Sequence, residues 1–297
     1  TAINRIIELG RIAYLEEHRT DDPECKNFDP LTVLNVNLKD VNLNQELIGK
    51  PLPLYDPNDF SVSKSSLETY AKCPYKFQLS KVLRTPSPGT VYTNLGNSIH
   101  EMIEGTADKS GKVRTRDEAL AKLKEKWIWN SYSSKTGESE FKARAEKMTD
   151  VYLEWRNNNK NKFIASEKQI SIKYEGLILN GKIDWLEENP DGEFEVVDFK
   201  TSKTVTSQNK AEEDWQLHIY AWLVWKEFGK IPAKASLFFL EKGKMVTIEI
   251  DKDKVENLLD TEIKPIIEKI LKNDFKATPE GYKCSQCEYQ GVCSEKV

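Results

Sequence analysis

The feature that most constrains the fold is the stretch of residues 167–200, in which three β-strands are predicted to follow one another. Apolar residues alternate with polar ones over residues 170–174 and again over residues 177–185. This period of two is typical of a half-buried strand. A third apolar run begins at residue 194, after an Asn-Pro-Asp-Gly sequence at residues 189–192. That sequence predicts a tight turn, because proline presets φ and glycine accepts the left-handed conformation.

Two aspartates and a lysine lie on these strands. Asp184 comes late in the second strand, and Asp198 and Lys200 are two apart in the third, so the last two leave the same face of the sheet. A hairpin would bring Asp184 beside Asp198, and neighbouring carboxylates repel unless a cation lies between them. Hard oxygen ligands suit Mg²⁺ or Mn²⁺. From spacing alone, a solvated face of the sheet is an equally good interpretation, although both acids are embedded among apolar residues.

The same residues resemble a known family. Gly181-x-x-Asp184, followed after thirteen residues by Asp198-Phe199-Lys200, is similar to the signature of the PD-(D/E)XK nucleases, in their RecB-like exonuclease branch. The resemblance implies an α/β fold with the restriction-endonuclease-like αβββαβ core. It also implies a divalent-metal-dependent enzyme that hydrolyses phosphodiester bonds in DNA, at single strands or at DNA ends.

Three further positions match this family. A G-x-x-x-H sequence ends at His100 and resembles the segment of the family's metal-binding histidine, although a single histidine on a helix is more often structural. Gln216 and Tyr220 share one face of a predicted helix and resemble a Q-x-x-x-Y motif. For Tyr220, an ordinary amphipathic helix remains an alternative. Glu167, at a strand start, matches an additional upstream acid more weakly.

The resemblance implies a role for each of these positions. The ligands of Mg²⁺ or Mn²⁺ would be His100, Asp184, Asp198 and the carbonyl of Phe199. Lys200 would position the attacking water and stabilise the charge that develops on phosphorus. Glu167 would be a further catalytic acid. Gln216 and Tyr220 would contact the substrate.

Composition limits the other classes of function. The chain has 297 residues, enough for one large domain or two modest ones. It contains no run of about 18 apolar residues, so no membrane span is expected, and no signal peptide is visible. A cytoplasmic location is therefore expected. The net charge is −4. Binding of nucleic acid must consequently rest on a local basic groove and on metal ions.

The cysteines indicate a second metal centre. A C-x2-C-x5-C pattern near the end of the chain is formed by Cys284, Cys287 and Cys293. Zinc would usually take its fourth ligand from a second cysteine pair or a histidine, and no histidine follows His218. An iron–sulfur cluster accepts a remote cysteine as readily, and Cys73 is the candidate. Zinc remains the alternative, and Cys25 is expected to be an ordinary thiol.

This cysteine arrangement also resembles a subset of the family. The arrangement of one cysteine before the nuclease motifs and three after them is similar to that of the 4Fe-4S cluster ligands in AddB-type and CRISPR-associated nucleases. The segment over residues 63–77 is likewise similar to the S-x-S-x-L-x-x-Y-x-x-C-P-x-x-F sequence of such nucleases. The cluster would tie the two ends of the domain together.

Periodicity predicts the remaining elements. A helix start is expected over residues 61–70, with Ser65 and Glu68 as its capping box. The other expected helices cover residues 116–130 and 139–159, which form a helical insertion, and residues 212–228 and 255–271. Strands are expected over residues 235–240 and 245–250.

The order of these elements predicts that the chain contains two regions. Residues 1–59 are predicted to be an amphipathic helix and an extended connector, or else an arm packed on the domain. Residues 60–297 are predicted to be the nuclease domain. The start at threonine and the long connector favour the C-terminal part of a helicase–nuclease that acts in DNA repair or recombination. The alternatives are a DNA-binding iron–sulfur module with a dispensable nuclease site and a CRISPR-adaptation nuclease, for which the chain is long.

Overall fold

One mixed β-sheet positions the residues of interest. The computed structural model describes residues 55–85, 90–107, 114–128 and 135–297. The predicted N-terminal helix, most of the connector and Cys25 lie outside these residues. The described residues belong to one compact unit, Leu54–Val297. Within them the sheet has six strands: β1 (Ser61–Ser63), β2 (Lys162–Tyr174), β3 (Leu177–Glu188), β4 (Phe194–Lys200), β5 (Lys234–Phe239) and β6 (Lys244–Glu249).

Strand β3 lies at the centre of the sheet arrangement. β2, β3 and β4 are the three consecutive strands that the alternation predicts, and they pair as antiparallel neighbours. β2 pairs along one edge of β3, while β1 and β4 share the other edge. β1 runs parallel to β3 beside Ile178–Asn180, and β4 pairs with Trp185–Glu188. Between these two pairings, residues 181–184 of β3, which include Asp184, have neither β1 nor β4 beside them. β5 continues the sheet parallel to β4, and β6 is antiparallel to β5.

The predicted turn joins β3 to β4. Gly192 has a φ of +79°, and its N–H donates to the carbonyl of Asn189 at 2.9 Å. The Asn189 side chain accepts from the N–H groups of Asp191 and Glu193, at 3.0 and 2.9 Å. Asparagine in such turns commonly bonds its own backbone in this way. The turn fixes the register in which β4 returns along β3.

Helices cover both faces of the sheet. In the described residues they are α1 (Lys64–Lys72), α2 (Pro74–Phe77), α3 (Val91–Thr106), α4 (Arg116–Glu125), α5 (Lys135–Asn158), α6 (Gln208–Glu212), α7 (Trp215–Phe228), α8 (Lys252–Leu258), α9 (Lys264–Leu271) and α10 (Gly281–Ser285). Short π-helical segments follow α2 and join α8 to α9. The α/β fold with an αβββαβ core and a helical insertion is therefore confirmed.

Several predicted helix boundaries are wrong. The capping box is formed by Ser63 and Ser66, not by Ser65 and Glu68. Residues 61–63 pair with β3 as a strand, so the helix cannot begin until Ser63 has left the sheet. The helix expected over residues 212–228 begins instead at Trp215, as α7, and the separate short helix α6 ends at Glu212. Asp214 caps α7 by accepting the N–H of Gln216 at 2.7 Å.

Two apolar clusters separate the faces. One packs residues of α1, α7, α8 and α9 against the sheet, and the other packs residues of α3, α4 and α5 against it. Val196 belongs to the first cluster, whereas Val197 and Phe199 belong to the second. Successive residues of a strand point to opposite faces. Asp198 and Lys200 are in phase with Val196 and therefore face the side of α7.

Candidate active site

Three elements bring a histidine and two acids together. Ser166 pairs with Trp185 and Lys168 with Ile183, so Glu167 on β2 lies opposite Asp184 on β3. From α3, the Nδ1 atom of His100 lies 3.1 Å from Glu167 Oε1 and 3.6 Å from Asp184 Oδ2. One ligand atom of each of these three residues lies within 4.8 Å of the others. The sheet and α3 thus assemble a compact set of nitrogen and oxygen donors.

Glu167 is held in an uncommon conformation. Its φ is +48°, in the left-handed region that non-glycine residues seldom occupy. Its side chain is only 2% exposed, and Oε2 lies 2.6 Å from Lys182 Nζ. Strained backbone of this kind concentrates at functional sites, where the surrounding contacts maintain it. Glu167 therefore has one oxygen directed to His100 and the other to a lysine.

Asp198 and Lys200 form the adjoining part of the site. Lys200 Nζ lies 2.7 Å from Asp198 Oδ2 and donates to Gln216 Oε1 at 2.7 Å. The Gln216 amide N–H donates to Asp198 Oδ1 and to the Tyr220 hydroxyl, the latter at 3.0 Å. Asp198 Oδ2 is buried and has the lysine charge beside it, but no hydrogen bond of suitable alignment. One turn of α7 thus connects the lysine, the aspartate and the tyrosine.

Asp184 links the two parts. Its Oδ2 accepts the backbone N–H of Phe199 at 2.8 Å. Burial raises the pKa of Asp184, and the charge of Asp198 raises it further. The side chain of Phe199 packs in the apolar cluster beside α5. Its carbonyl stays a predicted ligand.

The electrostatics of the cluster favour cations. Burial alone would lower the pKa of His100, but the carboxylates of Asp184 and Glu167 raise it to about 9. Burial would raise the pKa of Glu167, but hydrogen bonds from His100 and Lys182 hold it below its usual range. Burial would likewise lower the pKa of Lys200, and Asp198 raises it above the usual value. The same negative groups would attract a divalent ion.

The donor set suits a hard cation. Carboxylate oxygens are the ligands that Mg²⁺ and Mn²⁺ prefer, and an imidazole nitrogen is a common ligand of divalent transition metals. The buried Oδ2 of Asp198, which lies 2.7 Å from the Lys200 ammonium group, is a further carboxylate oxygen of the site. His100 and Asp184 were both predicted as ligands, and the structure adds Glu167 to the same group. The residues therefore fit a divalent metal.

The four predicted cluster cysteines come together at a separate place. Cys73 lies between α1 and α2, and Cys284 lies in α10. A cavity of about 440 Å³ is lined by both, together with Cys287 and Cys293. Burial would raise the pKa of the Cys73 thiol, but backbone N–H groups of Thr278 and Lys76 bond its sulfur and hold the pKa below the usual value. The cavity thus places the Cys73 thiol, whose pKa is lowered, beside three further thiols.

Two lysines of the site had no sequence signal. A cleft of about 630 Å³ contains His100, Glu167 and Asp184, and its lining also includes Lys126 and Lys182. Lys182 occupies a position that the Gly-x-x-Asp motif leaves unspecified. Lys126 follows α4, which ends at Glu125 instead of continuing to residue 130 as predicted. Their places depend on contacts between elements distant in sequence.

The fold and the site define a class of protein. A sheet flanked by helices, with acids on three neighbouring strands and a lysine two residues after one of them, is a restriction-endonuclease-like arrangement. The sequence model of the PD-(D/E)XK nuclease superfamily matches residues 61–294. The chain therefore belongs to that superfamily.

Two known proteins are similar to this chain. The chain is 23% identical over 171 residues to a subunit of the ATP-dependent helicase/deoxyribonuclease of Streptococcus uberis. That match covers 55% of this chain but only 16% of the relative. A crystal structure of a candidate exonuclease from Eubacterium rectale superposes with a TM-score of 0.51 at 12% identity, covering 88% of this chain and 96% of the other. The second likeness shows the fold alone. Among the described residues, no helix is both long and apolar enough to span a membrane.

Proposed function

We propose that this chain is a divalent-metal-dependent deoxyribonuclease. The observation that carries the proposal is the group of His100, Glu167 and Asp184, whose ligand atoms lie within 4.8 Å of one another beside Asp198 and Lys200. Buried carboxylates this close repel one another, and a bound cation relieves that repulsion. The substrate is DNA, as single strands or ends, and the setting is a helicase–nuclease of repair or recombination. The relative from Streptococcus uberis supports that setting.

The residues divide the chemistry between them. His100, Glu167, Asp184 and Asp198 would hold Mg²⁺ or Mn²⁺, which when bound acidifies water and polarises a phosphoryl oxygen. Lys200 holds its ammonium group beside Asp198 and would stabilise negative charge that develops on the phosphate. Gln216 holds the lysine and Asp198 in fixed relative positions, and Tyr220 lines the cleft beside them.

A 4Fe-4S cluster is proposed for the four cysteines. Sulfur ligands about 2.3 Å from one zinc ion in a tetrahedral site would lie about 3.8 Å apart. Among the described residues, the only group of three ligand atoms within 4.8 Å is the one that contains His100, so the thiols are more widely spaced than a single ion requires. A cluster spans such a spacing, and backbone N–H groups directed at a sulfur are common in iron–sulfur sites.

Cleavage assays test the proposed activity. End-labelled single- and double-stranded DNA is incubated with Mg²⁺, Mn²⁺ or EDTA, and a circular single strand distinguishes exonucleolytic from endonucleolytic cleavage. We expect cleavage with either metal and none with EDTA. Asp198→Asn should reduce the rate by at least about 10²–10³-fold, because a charged group that serves the transition state is lost.

A matched control and a competing function complete the design. Asp191→Asn removes an acid from the exposed turn of the same hairpin and should leave the rate unchanged. Cleavage by Asp198→Asn at the native rate, or cleavage in EDTA, would contradict the site. DNA binding without any cleavage by the native chain would instead support the DNA-binding module. Cleavage confined to substrates of CRISPR adaptation would support the third interpretation.

A further inference from the structure

Two lysines stand at the rim of the active-site cleft. Lys126 follows α4 and Lys182 lies on β3, and both line the cleft that contains the metal-ligand group. Their side chains are 41% and 47% exposed. The chain carries a net charge of −4, so phosphate must be attracted by local groups of this kind.

Each lysine faces a glutamate of α3. Lys126 Nζ lies 3.4 Å from Glu101 Oε2, and Lys182 Nζ lies 3.7 Å from Glu104 Oε2. Both glutamates are also more than two-fifths exposed. Ion pairs so open to solvent contribute little, because water and salt screen them and both side chains lose freedom. A phosphate group of an incoming ligand can therefore take the place of either glutamate.

We propose that Lys126 and Lys182 bind two phosphates of the DNA strand next to the scissile one, and that Glu101 and Glu104 compete with the strand for them. This inference rests on the proposed nuclease function. Binding of a DNA phosphate by a lysine releases counterions condensed on the DNA, and this release is favourable. An ion pair between a lysine and a glutamate of the protein releases no such counterions. The glutamates weaken non-productive binding and speed release of the strand.

Lys182 has a second contact within the site. Its Nζ lies 2.6 Å from Glu167 Oε2, so it also orients that carboxylate towards His100. In the described part of the chain, Lys126 pairs with Glu101 and with no acid of the metal-ligand group. Substitution of Lys126 therefore tests phosphate binding alone. The two lysines should therefore agree in their effect on DNA binding and differ in their effect on metal affinity.

The salt dependence of DNA binding tests this inference. Affinity of a fluorescent single-stranded oligonucleotide is measured by anisotropy over a range of salt concentrations, in an Asp198→Asn background that prevents cleavage. Lys126→Gln and Lys182→Gln should each weaken binding and reduce the slope of log K against log salt by about 0.7. Lys182→Arg should restore the slope. An unchanged slope in both glutamine variants would overturn the proposal.

Lys264 supplies a matched control. It lies 3.2 Å from Glu175, and the two side chains are 38% and 35% exposed, but neither lines the cleft. Lys264→Gln should leave both affinity and slope unchanged. If Lys264→Gln reduced the salt-dependence slope as much as Lys126→Gln does, the reduction would reflect the overall charge of the protein. That result would also overturn the proposal.

Substitution of a competing glutamate should have the opposite effect on DNA affinity. Glu101→Gln should tighten binding several-fold, because the competing carboxylate is removed, whereas Glu175→Gln should not. Weaker binding by Glu101→Gln would show that the ion pair only maintains the structure and would refute the competition. Cleavage by the native chain is measured separately. If it is present while the slopes do not change, this inference fails and the nuclease assignment stands.

Discussion

At the scale of single residues, Lys200 is held by two different partners. The carboxylate of Asp198 attracts its charge, and the carbonyl oxygen of Gln216 accepts one of its protons. Burial would lower the pKa of this lysine, but Asp198 raises it, so the ammonium form persists inside the site. A fixed, partly desolvated cation stabilises developing charge more strongly than one in water.

Lys200→Met should therefore separate chemistry from metal binding. The variant keeps the length of the side chain and removes its charge. We expect single-turnover cleavage to slow by about 10²–10³-fold, while Mn²⁺ still binds in calorimetry. Lys203→Met, on an exposed position three residues away, should behave like the native chain. Loss of metal binding by Lys200→Met would show that the lysine organises the ligands rather than the transition state.

At the scale of elements, Gly181 determines how closely α7 approaches β3. A Cβ atom at this position would lie 2.6 Å from Leu223 Cδ1 and 3.1 Å from Tyr220 Cε1. Both side chains are buried, so neither can move away freely. The glycine of the Gly-x-x-Asp motif is explained by this approach, since α7 also carries Gln216 into the site.

Gly181→Ala should move α7 and disturb the site at a distance. Overpacking of a dense core costs about 1–3 kcal/mol, and displacement of Gln216 should lower the cleavage rate as well. Urea unfolding and the DNA assay measure the two effects. Gly281→Ala is the control, because a Cβ there would meet nothing within 4 Å. A Gly181→Ala protein with native stability and rate would mean that α7 packs less tightly than the distances indicate.

The elements also show what the sequence could predict. The meander of β2, β3 and β4 was predictable because the alternation and the turn at residues 189–192 are local signals. β1 was not, since three residues with two serines have no periodicity and their pairing with β3 spans more than a hundred residues. The break before α7 depends on the side chain of Asp214, whose capping role competes with continued helix.

Some residues of the candidate site could likewise be predicted from the sequence, and others could not. Asp198 and Lys200 were predictable because a spacing of two fixes their common face. The place of Glu167 opposite Asp184 depends on the register of β2, and its positive φ has no sequence signal in a glutamate. Lys126 reaches the cleft because Ile128 N–H donates to Ser98 Oγ at 3.1 Å, which fixes the chain after α4 on α3. Such contacts between distant elements leave no pattern in the sequence.

At the scale of the whole molecule, the first and last parts of the described domain are joined. Thr278 donates to the carbonyl of Lys72 at 3.0 Å, and Tyr289 donates to that of Thr85 at 3.0 Å. Phe77 and Phe275 stack with ring centroids 5.9 Å apart. The cavity lined by the four cysteines lies in this junction. A cluster bound there would add its binding free energy to the free energy of unfolding.

Removal of one cysteine should therefore change colour and stability together. Protein purified without oxygen should be brown and absorb near about 400 nm, as thiolate-ligated clusters do. Cys73→Ala should bleach it and lower the melting temperature, by about 2–4 °C for each kcal/mol lost in a domain of this size. Cleavage should fall only indirectly, since no cysteine among the described residues lines the active-site cleft. Cys25→Ala, outside the set, should change neither property. Stoichiometric zinc without iron in elemental analysis would refute the cluster, and a full cluster in Cys73→Ala would place the fourth ligand elsewhere.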